Sequence, residues 1–446
     1  VKRTQTGTYA GSYAGGTAAG AGTAGANLDA LRSHNTALVL DLLRAAGAEG
    51  LSRTELAERT GLTPQAVSKI TARLRTEGFV AEAGRRASTG GKPRTVLRLE
   101  PGAAYAVGVH LDRDELHVVL ADLTGAVVAE RRAPLGLGAG AGVVLDRVVG
   151  EVDALLAGAE GANGSAGPVA GAAGPAGFVG PTGSGAAGTG AAGTGALAVG
   201  GAIGTPEAAE PAGTGARFAS GSGARPPVLG VGVALPGPLD HLRGVLHRVT
   251  GFPDWDGFPL RDALARRLEM EVVVDKDTNA AALGIAVGGG LGGAYGSFAY
   301  LHLGTGLGAG LVLDGTVYRG ERTGAGEFGH QVIQLDGPPC ECGNRGCIEA
   351  LCLAAVARGA VDEAARVLGT GAANLVGLLD IDLVLLGGRA IAVDPERFER
   401  GVGAVLLARA RRTGSTSPVP VRIASGGVAE GAAQLLLAPV FGREPG

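Results

Sequence analysis

The sequence predicts an α/β protein in two parts, a winged helix-turn-helix head followed by a larger α/β body. Three observations carry this reading. Residues 52 to 78 hold two short helical patterns joined at a glycine; β-like runs alternate with Ala-rich helical ones from Tyr105 onward; and charge is unevenly spread. The net charge is −3 over 446 residues, too small for a chain that coats nucleic acid or a membrane along its length. Between Thr63 and Arg98, however, Lys69, Arg73, Arg75, Arg85, Arg86, Lys92, Arg94 and Arg98 face only Glu77 and Glu82, a local excess of six positive charges.

The chain opens on residues 1–26, rich in Gly, Ala, Thr and Ser and nearly free of large apolar side chains, as in a disordered tail. Neither a secretory signal core nor a bilayer-length apolar run is present, so a cytoplasmic protein without membrane association is expected. The head is placed at residues 27–100. Helical periodicity runs through Leu28, Leu31, Leu38, Leu42 and Leu43. Ser52 and Glu55 form a capping box for a helix that Gly61 ends, and Thr63-Pro64 caps and starts the next. On that second helix Val67, Ile70 and Leu74 share one face, which leaves Gln65, Ser68, Lys69 and Arg73 for a major groove. Phe79-Val80 and the run ending at Leu99 make a wing whose tip carries Arg85, Arg86, Lys92 and Arg94. Phosphate attraction is expected from the wing and Arg75, base reading from Gln65, Ser68 and Lys69.

The body is placed at residues 101–446, interrupted by a low-complexity Gly/Ala-rich insertion at about 158–226 that lacks core-forming side chains. Its strands begin with Ala106–Val109, Leu116–Ala121 and Val127–Ala129 and resume at Val228. Four cysteines lie within thirteen residues, Cys340 to Cys352. In a reducing compartment such clustering favours a metal over disulfides. His330, Cys340, Cys342 and Cys347 supply one imidazole and three thiolates, a tetrahedral set for a structural zinc with no open position, while Cys352 falls on the next helix as a buried small residue. Asp277 follows the Val272–Val274 run and opens an Ala-rich helix. A carboxylate there can accept a ligand hydroxyl, act as a general base, or cap the helix. Leu303-Gly304-Thr305-Gly306 is a glycine turn of the kind that cradles phosphate.

Taken together, the Glu-x-Gly-His and C-x-C-G-x-x-G-C-x-E segments, Asp277-x-Asn279-Ala-Ala and the Leu-Gly-Thr-Gly turn resemble the ROK family (repressors, open reading frames and sugar kinases), over about residues 28–157 and 228–440. The resemblance implies an actin-like, hexokinase-type ATPase fold in two lobes with a sugar in the cleft between them. It implies Asp277 at the position of the kinase base, and Glu327, His330 and Glu349 on sugar hydroxyls. Lys276 lines the same site, where kinases of the family place an Asn. His330 would serve both the zinc and the sugar. The family's kinases open the body with Asp-x-Gly-Gly-Thr. This chain has His110-Leu111-Asp112-Arg113-Asp114, in which the glycines are gone and two carboxylates face the phosphate position. A Gly251-Phe252-Pro253-Asp254-Trp255 segment replaces an Asn-Leu-Pro-Gly-Trp-like one.

The resemblance therefore implies the repressor branch: a non-enzymatic regulator of carbohydrate genes whose partners are operator DNA and a sugar or sugar-derivative effector, assembled as a homodimer or dimer of dimers. The rivals are an active ATP-dependent sugar kinase with an accessory head and a ligand-independent architectural DNA binder.

Overall fold

The computed structural model describes residues 34–86, 94–161, 227–247, 249, 252–288 and 295–443. The expected tail, Lys92, Gly251 and residues 162–226 of the expected insertion lie outside them, as do the side chains of Arg85 and Arg86.

The head consists of α1 (His34–Ala46), β1 (Leu51–Ser52), α2 (Arg53–Thr60), α3 (Pro64–Thr76), β2 (Val80–Arg86) and β3 (Arg94–Leu99), with strand order β1-β3-β2. Local chemistry sets the helix boundaries. The Ser52 side chain accepts from the Glu55 backbone N–H, and the Glu55 carboxylate accepts from the Ser52 backbone N–H at 2.7 Å. Gly61 ends α2 at φ +70°, and the Thr63 hydroxyl accepts from Ala66 N–H to start α3. Caps of this kind stabilise a helix by about 1 kcal/mol each. Val39, Leu40, Leu43, Leu56, Val67, Leu74 and Leu97 fill the head's interior.

The body holds two five-stranded sheets. In the first, β4 (Tyr105–Leu111), β5 (Glu115–Asp122) and β6 (Val127–Pro134) form an antiparallel meander, and β4 continues in parallel to β7 (Val228–Leu235) and β10 (Val272–Lys276). Between β7 and β10 lie a small β8–β9 ladder (Leu239–Asp240, Val245–Leu246) and a helix, α5 (Leu260–Leu268), which is preceded in the chain by α4 (Ala141–Gly161). That α4 helix extends past the start expected for the insertion at residue 158, because Leu155, Leu156 and Ala159 still lie on its buried face.

In the second sheet β11 (Phe298–Leu303) pairs antiparallel with β12 (Leu307–Leu313) and parallel with β14 (Leu383–Gly387), flanked by β13 (Thr316–Val317) and β15 (Val421–Ile423). Helices α7 (Ile348–Ala357), α8 (Val361–Leu379), the short α9 (Arg389–Ala392) and α10 (Pro395–Thr413) accompany it. This is the actin-like, two-lobed α/β arrangement behind a winged helix: the residues predicted the α/β body and the head, and the family resemblance implied the two lobes.

Two helices lie between the sheets, α6 (Asp277–Val287) and α11 (Val428–Leu437). They cross where Gly284 meets Gly431, so closely that a Cβ on Gly431 would collide with the Ala280 carbonyl. The far end of α11 and the turn after it, Ala438–Phe441, leave the body and enter the head. Leu436, Leu437, Val440 and Phe441 share one buried cluster with Leu40, Leu43 and Leu97. Head and body thus share a hydrophobic core.

Candidate ligand cleft, metal loop and nucleic-acid interface

The cleft between the lobes is lined by Asp112, Arg113, Gly237, Lys276, Asp277, His302, Thr305, Glu327, His330 and Glu349 among others. Strand ends and tight turns deliver them. Lys276 is the last residue of β10 and Asp277 the first of α6, so Asp277 is the opening helical residue and Lys276, rather than Asp277, occupies the capping position. The Asp277 carboxylate accepts from the Thr278 backbone N–H at 2.6 Å. Burial pushes its carboxyl above the usual range, partly offset by the nearby His302 ring and that N–H. Glu327 precedes a single turn, Phe328–His330, that brings His330 into the same wall. Gly326, at φ +86°, lets that turn press on the Ala309 carbonyl, where any Cβ would clash. Glu349, in the first turn of α7, accepts from Leu307 N–H at 2.8 Å and lies 3.9 Å from the Cys340 sulfur.

Below the pocket lies a group that sequence reasoning missed. Asp275 and Arg319 form a buried ion pair, 2% and 5% exposed, with Arg319 Nε donating to Asp275 Oδ2 at 2.9 Å. Asp275 Oδ1 accepts from the Lys276 backbone N–H and from Asn279 Nδ2 at 2.7 and 3.0 Å, so this pair holds the start of α6 in place. Asp275 stood within the Asp-rich run before the helix, but nothing in the sequence marked Arg319, 44 positions further on.

At the other end of the cleft lie Asp112, which lines it, and Asp114 beside it. Asp112 accepts from its neighbour's N–H (Arg113, 2.7 Å) and from the Thr305 hydroxyl of the second lobe at 3.0 Å. Arg389, also of the second lobe, pairs with Asp114 at 2.9 Å and approaches Asp112 at 3.9 Å. Carboxylates of the first lobe and a guanidinium of the second thus meet across this end of the cleft. Beside them the His110 ring keeps a buried Nε2 with no hydrogen-bond partner among the described residues, and burial depresses its pKa to about 3. Trp255 of the altered Gly251–Trp255 segment is buried and donates its indole N–H to the Leu137 carbonyl at 3.0 Å, a structural contact.

His330, Cys340, Cys342 and Cys347 bring their ligand atoms within 4.8 Å of one another, a set able to hold a metal ion. Cys340 Sγ lies 3.7 Å from His330 Nδ1, and Cys342 Sγ 3.7 Å from Cys347 Sγ. Gly346, at φ +68°, seats the loop on the Gln334 carbonyl, where a side chain has no room. Burial and the two neighbouring sulfurs push the Cys347 thiol up to about 12, so a thiolate there calls for a cation beside it. Cys352 is buried apart from the cluster, its sulfur 3.6 Å from the Ala364 carbonyl.

On the head, Gln65, Ser68 and Lys69 are exposed along α3, and Arg94 is exposed at the start of β3. Arg73 is exposed too, but its guanidinium donates to the Thr36 hydroxyl at 2.7 Å and lies 3.8 Å from Glu77. Arg75 pairs with Glu82 at 2.9 Å. Arg73 and Arg75, two of the arginines expected to meet DNA, are thus held by partners on the head itself.

A model of the ROK family matches residues 218–355, and a model of the MarR family matches 33–88. Over the cysteine loop, the cleft and the head together, these matches agree with the geometry. The chain resembles the ROK family over residues 218–355 of its body. The xylose repressor of Caldicellulosiruptor bescii is 23% identical over 76% of this chain and 79% of its own length. The glucokinase of Thermotoga maritima is 39% identical, but over 29% of this chain and 40% of its own. A solved structure described as a ROK family transcriptional regulator, homolog of the E. coli MLC protein, superposes with a TM-score of 0.63 at 18% identity, over 93% of this chain and 97% of that one. That likeness extends through head and both lobes and establishes the shared fold. Among the described residues, no helix is long and apolar enough to cross a membrane.

Proposed function

We propose that this protein is a DNA-binding transcriptional repressor of carbohydrate genes, of the repressor branch of the ROK family, whose cleft binds a sugar effector and does not phosphorylate it. The observation that carries the reading is the shared core of head and body, because it gives cleft and DNA a common rigid element. Helix α6 starts in the pocket at Asp277 and ends at Val287, whose carbonyl accepts from Arg44 of head helix α1 at 2.9 Å. Arg44 also pairs with Asp41 at 2.8 Å and lies over the Phe441 ring, while Arg443 bonds Asp41 at 3.1 Å. Against the upward pull of burial, these two guanidinium groups hold the Asp41 carboxyl below its usual range. A ligand that changes lobe closure at Asp277 therefore acts on α1, against which the recognition helix packs.

Gln65, Ser68 and Lys69 are assigned to base edges, with Arg94 and the wing on phosphates; Arg73 and Arg75 shape the helix and contribute charge. The metal is assigned as zinc. Zn–S bonds of about 2.3 Å in a tetrahedron place sulfurs about 3.8 Å apart, close to the Cys342–Cys347 spacing. All four positions are then filled by protein, as in a structural site, and His330 is oriented by the metal toward the sugar. A dimer reading a two-fold operator in the cytoplasm completes the picture. The kinase alternative is disfavoured by the closure at Asp112, Asp114 and Arg389, and by the limited span of the glucokinase match.

The test is selection of genomic DNA by the full chain, then fluorescence anisotropy on the recovered sites with a panel of carbohydrates. Specific binding at 10⁻⁸ M or tighter, shifted at least 5-fold by one class of carbohydrate, is the expected result. ATP-dependent sugar phosphorylation that Asp277→Asn abolishes would overturn it.

A further inference from the structure

The two cations of the cleft are more deeply buried than the anions that balance them. The Lys276 side chain is 4% exposed, and its partner Glu327, 3.3 Å away, is 43% exposed. Arg113 is 23% exposed, and its partner Glu341, 3.5 Å away, is 69% exposed. The remaining carboxylates of the lining are engaged elsewhere. Asp112 is held by Thr305 and Arg389, Glu349 accepts from Leu307 N–H beside the metal loop, and Asp277 accepts from the Thr278 N–H of its own helix. The Lys276 chain runs over Gly237, where an added Cβ would lie 2.6 Å from its Cδ, and its ammonium also donates to the Ala325 carbonyl. It crosses the pocket, whose free volume is about 80 Å³, below the roughly 300–1,000 Å³ of typical small-molecule sites.

An Asn side chain offers a donor and an acceptor, which suits a hydroxyl. A lysine offers three donors, a full charge and no acceptor. A ligand that enters here moves the ammonium off its backbone carbonyl and draws on Glu327, so the charge needs a replacement anion at low dielectric. We infer that the effector of this cleft is an anionic carbohydrate derivative, a sugar acid or sugar phosphate, whose negative group replaces Glu327 as the partner of Lys276, with Arg113 on the opposite wall. This rests on the reading of the cleft as a sugar site and names the chemical class that it takes. Lys276 is then the residue that selects against neutral sugars.

The test is titration calorimetry on the full metal-loaded chain with glucose, xylose, glucuronate, galacturonate, gluconate, glucose 6-phosphate and inorganic phosphate. The expected result is that one carboxylated or phosphorylated sugar binds at least 10-fold tighter than its neutral parent and than inorganic phosphate. Lys276→Met is expected to remove that advantage. Lys276→Asn, which keeps the pocket polar should the Met variant fail to fold, is expected to shift preference to the neutral parent. The carboxylate and phosphate arms separate the two sources of charge. Equal binding of neutral and anionic forms, or anionic binding untouched by Lys276→Met or Lys276→Asn, overturns the proposal. Neutral binding by Lys276→Asn with no ligand for the wild type overturns it while leaving the sugar cleft intact. No carbohydrate bound by any variant sinks both readings.

Discussion

The two ends of one cleft have taken different chemistry. At the metal end, four ligand atoms converge within 4.8 Å, and Glu327, His330 and Glu349 still line the wall beside Asp277. At the other end, read in the proposed function as a closed phosphate site, Asp112 and Asp114 are tied across the lobes to Arg389. The fold is common to both ends, because strand ends and tight turns place each residue independently of its neighbours' chemistry. In the proposed function the two ends are therefore separate, with transfer chemistry lost at one and binding groups kept at the other.

The largest effect should come from the metal end. Cys347→Ser is expected to lower bound zinc from about one per chain to near zero by elemental analysis. It should cost the body roughly 5 kcal/mol or more, a fall in Tm of about 10 °C or more. Unchanged metal content would move the metal away from this loop. Next is the floor shared by both ends. Arg319→Ala leaves the Asp275 charge buried and should destabilise the body by about 3–5 kcal/mol in urea unfolding. A loss under about 1 kcal/mol would mean that the pair is not what holds α6.

The phosphate end has a distinct pH signature. An unfolded histidine takes up its proton near pH 6.5, whereas folded His110 resists until about 3. Its contribution to stability is therefore whole above pH 6.5 and declines by about 1.4 kcal/mol per unit below, roughly 2 kcal/mol by pH 5. His110→Gln should flatten the slope of Tm against pH in that window; an unchanged slope would assign it to other groups. The smallest effect is expected from Arg389→Ala. Its guanidinium is about half exposed, so stability should change by no more than about 1 kcal/mol. A fluorescent ATP analogue should still fail to bind, because Asp112 and Asp114 remain. Tight ATP binding by this variant would make Arg389 the sole barrier to the nucleotide.

How much of this was legible in the sequence depended on separation along the chain. The head's caps are local: Ser52 with Glu55, Thr63 with Ala66, Gly61 at a positive φ, and each reads within one helical turn. The metal loop was equally legible, since three of its ligands fall within eight residues and glycines mark its turns. Asp277 was visible as a carboxylate at a strand end, but its capping role was not decidable there; the backbone put Lys276 at the cap instead. Arg73 and Arg75 looked free for DNA because Thr36 and Glu82 reach them only after α1 and the wing have packed. The Asp275–Arg319 pair, the Asp114–Arg389 bridge and the Arg44–Val287 contact, 243 positions apart, join elements that the topology brings together and that no periodicity announces.

The central claim is that the cleft and the head communicate through α6 and α1. It is tested most directly by measuring the affinity of the full chain for its selected DNA site, with and without the bound carbohydrate, in the wild type and in Arg44→Leu. A change of at least 5-fold on ligand addition is expected for the wild type. In Arg44→Leu, ligand binding by calorimetry should be retained while the change in DNA affinity falls below 2-fold. A variant that binds ligand and keeps the full wild-type response would contradict it.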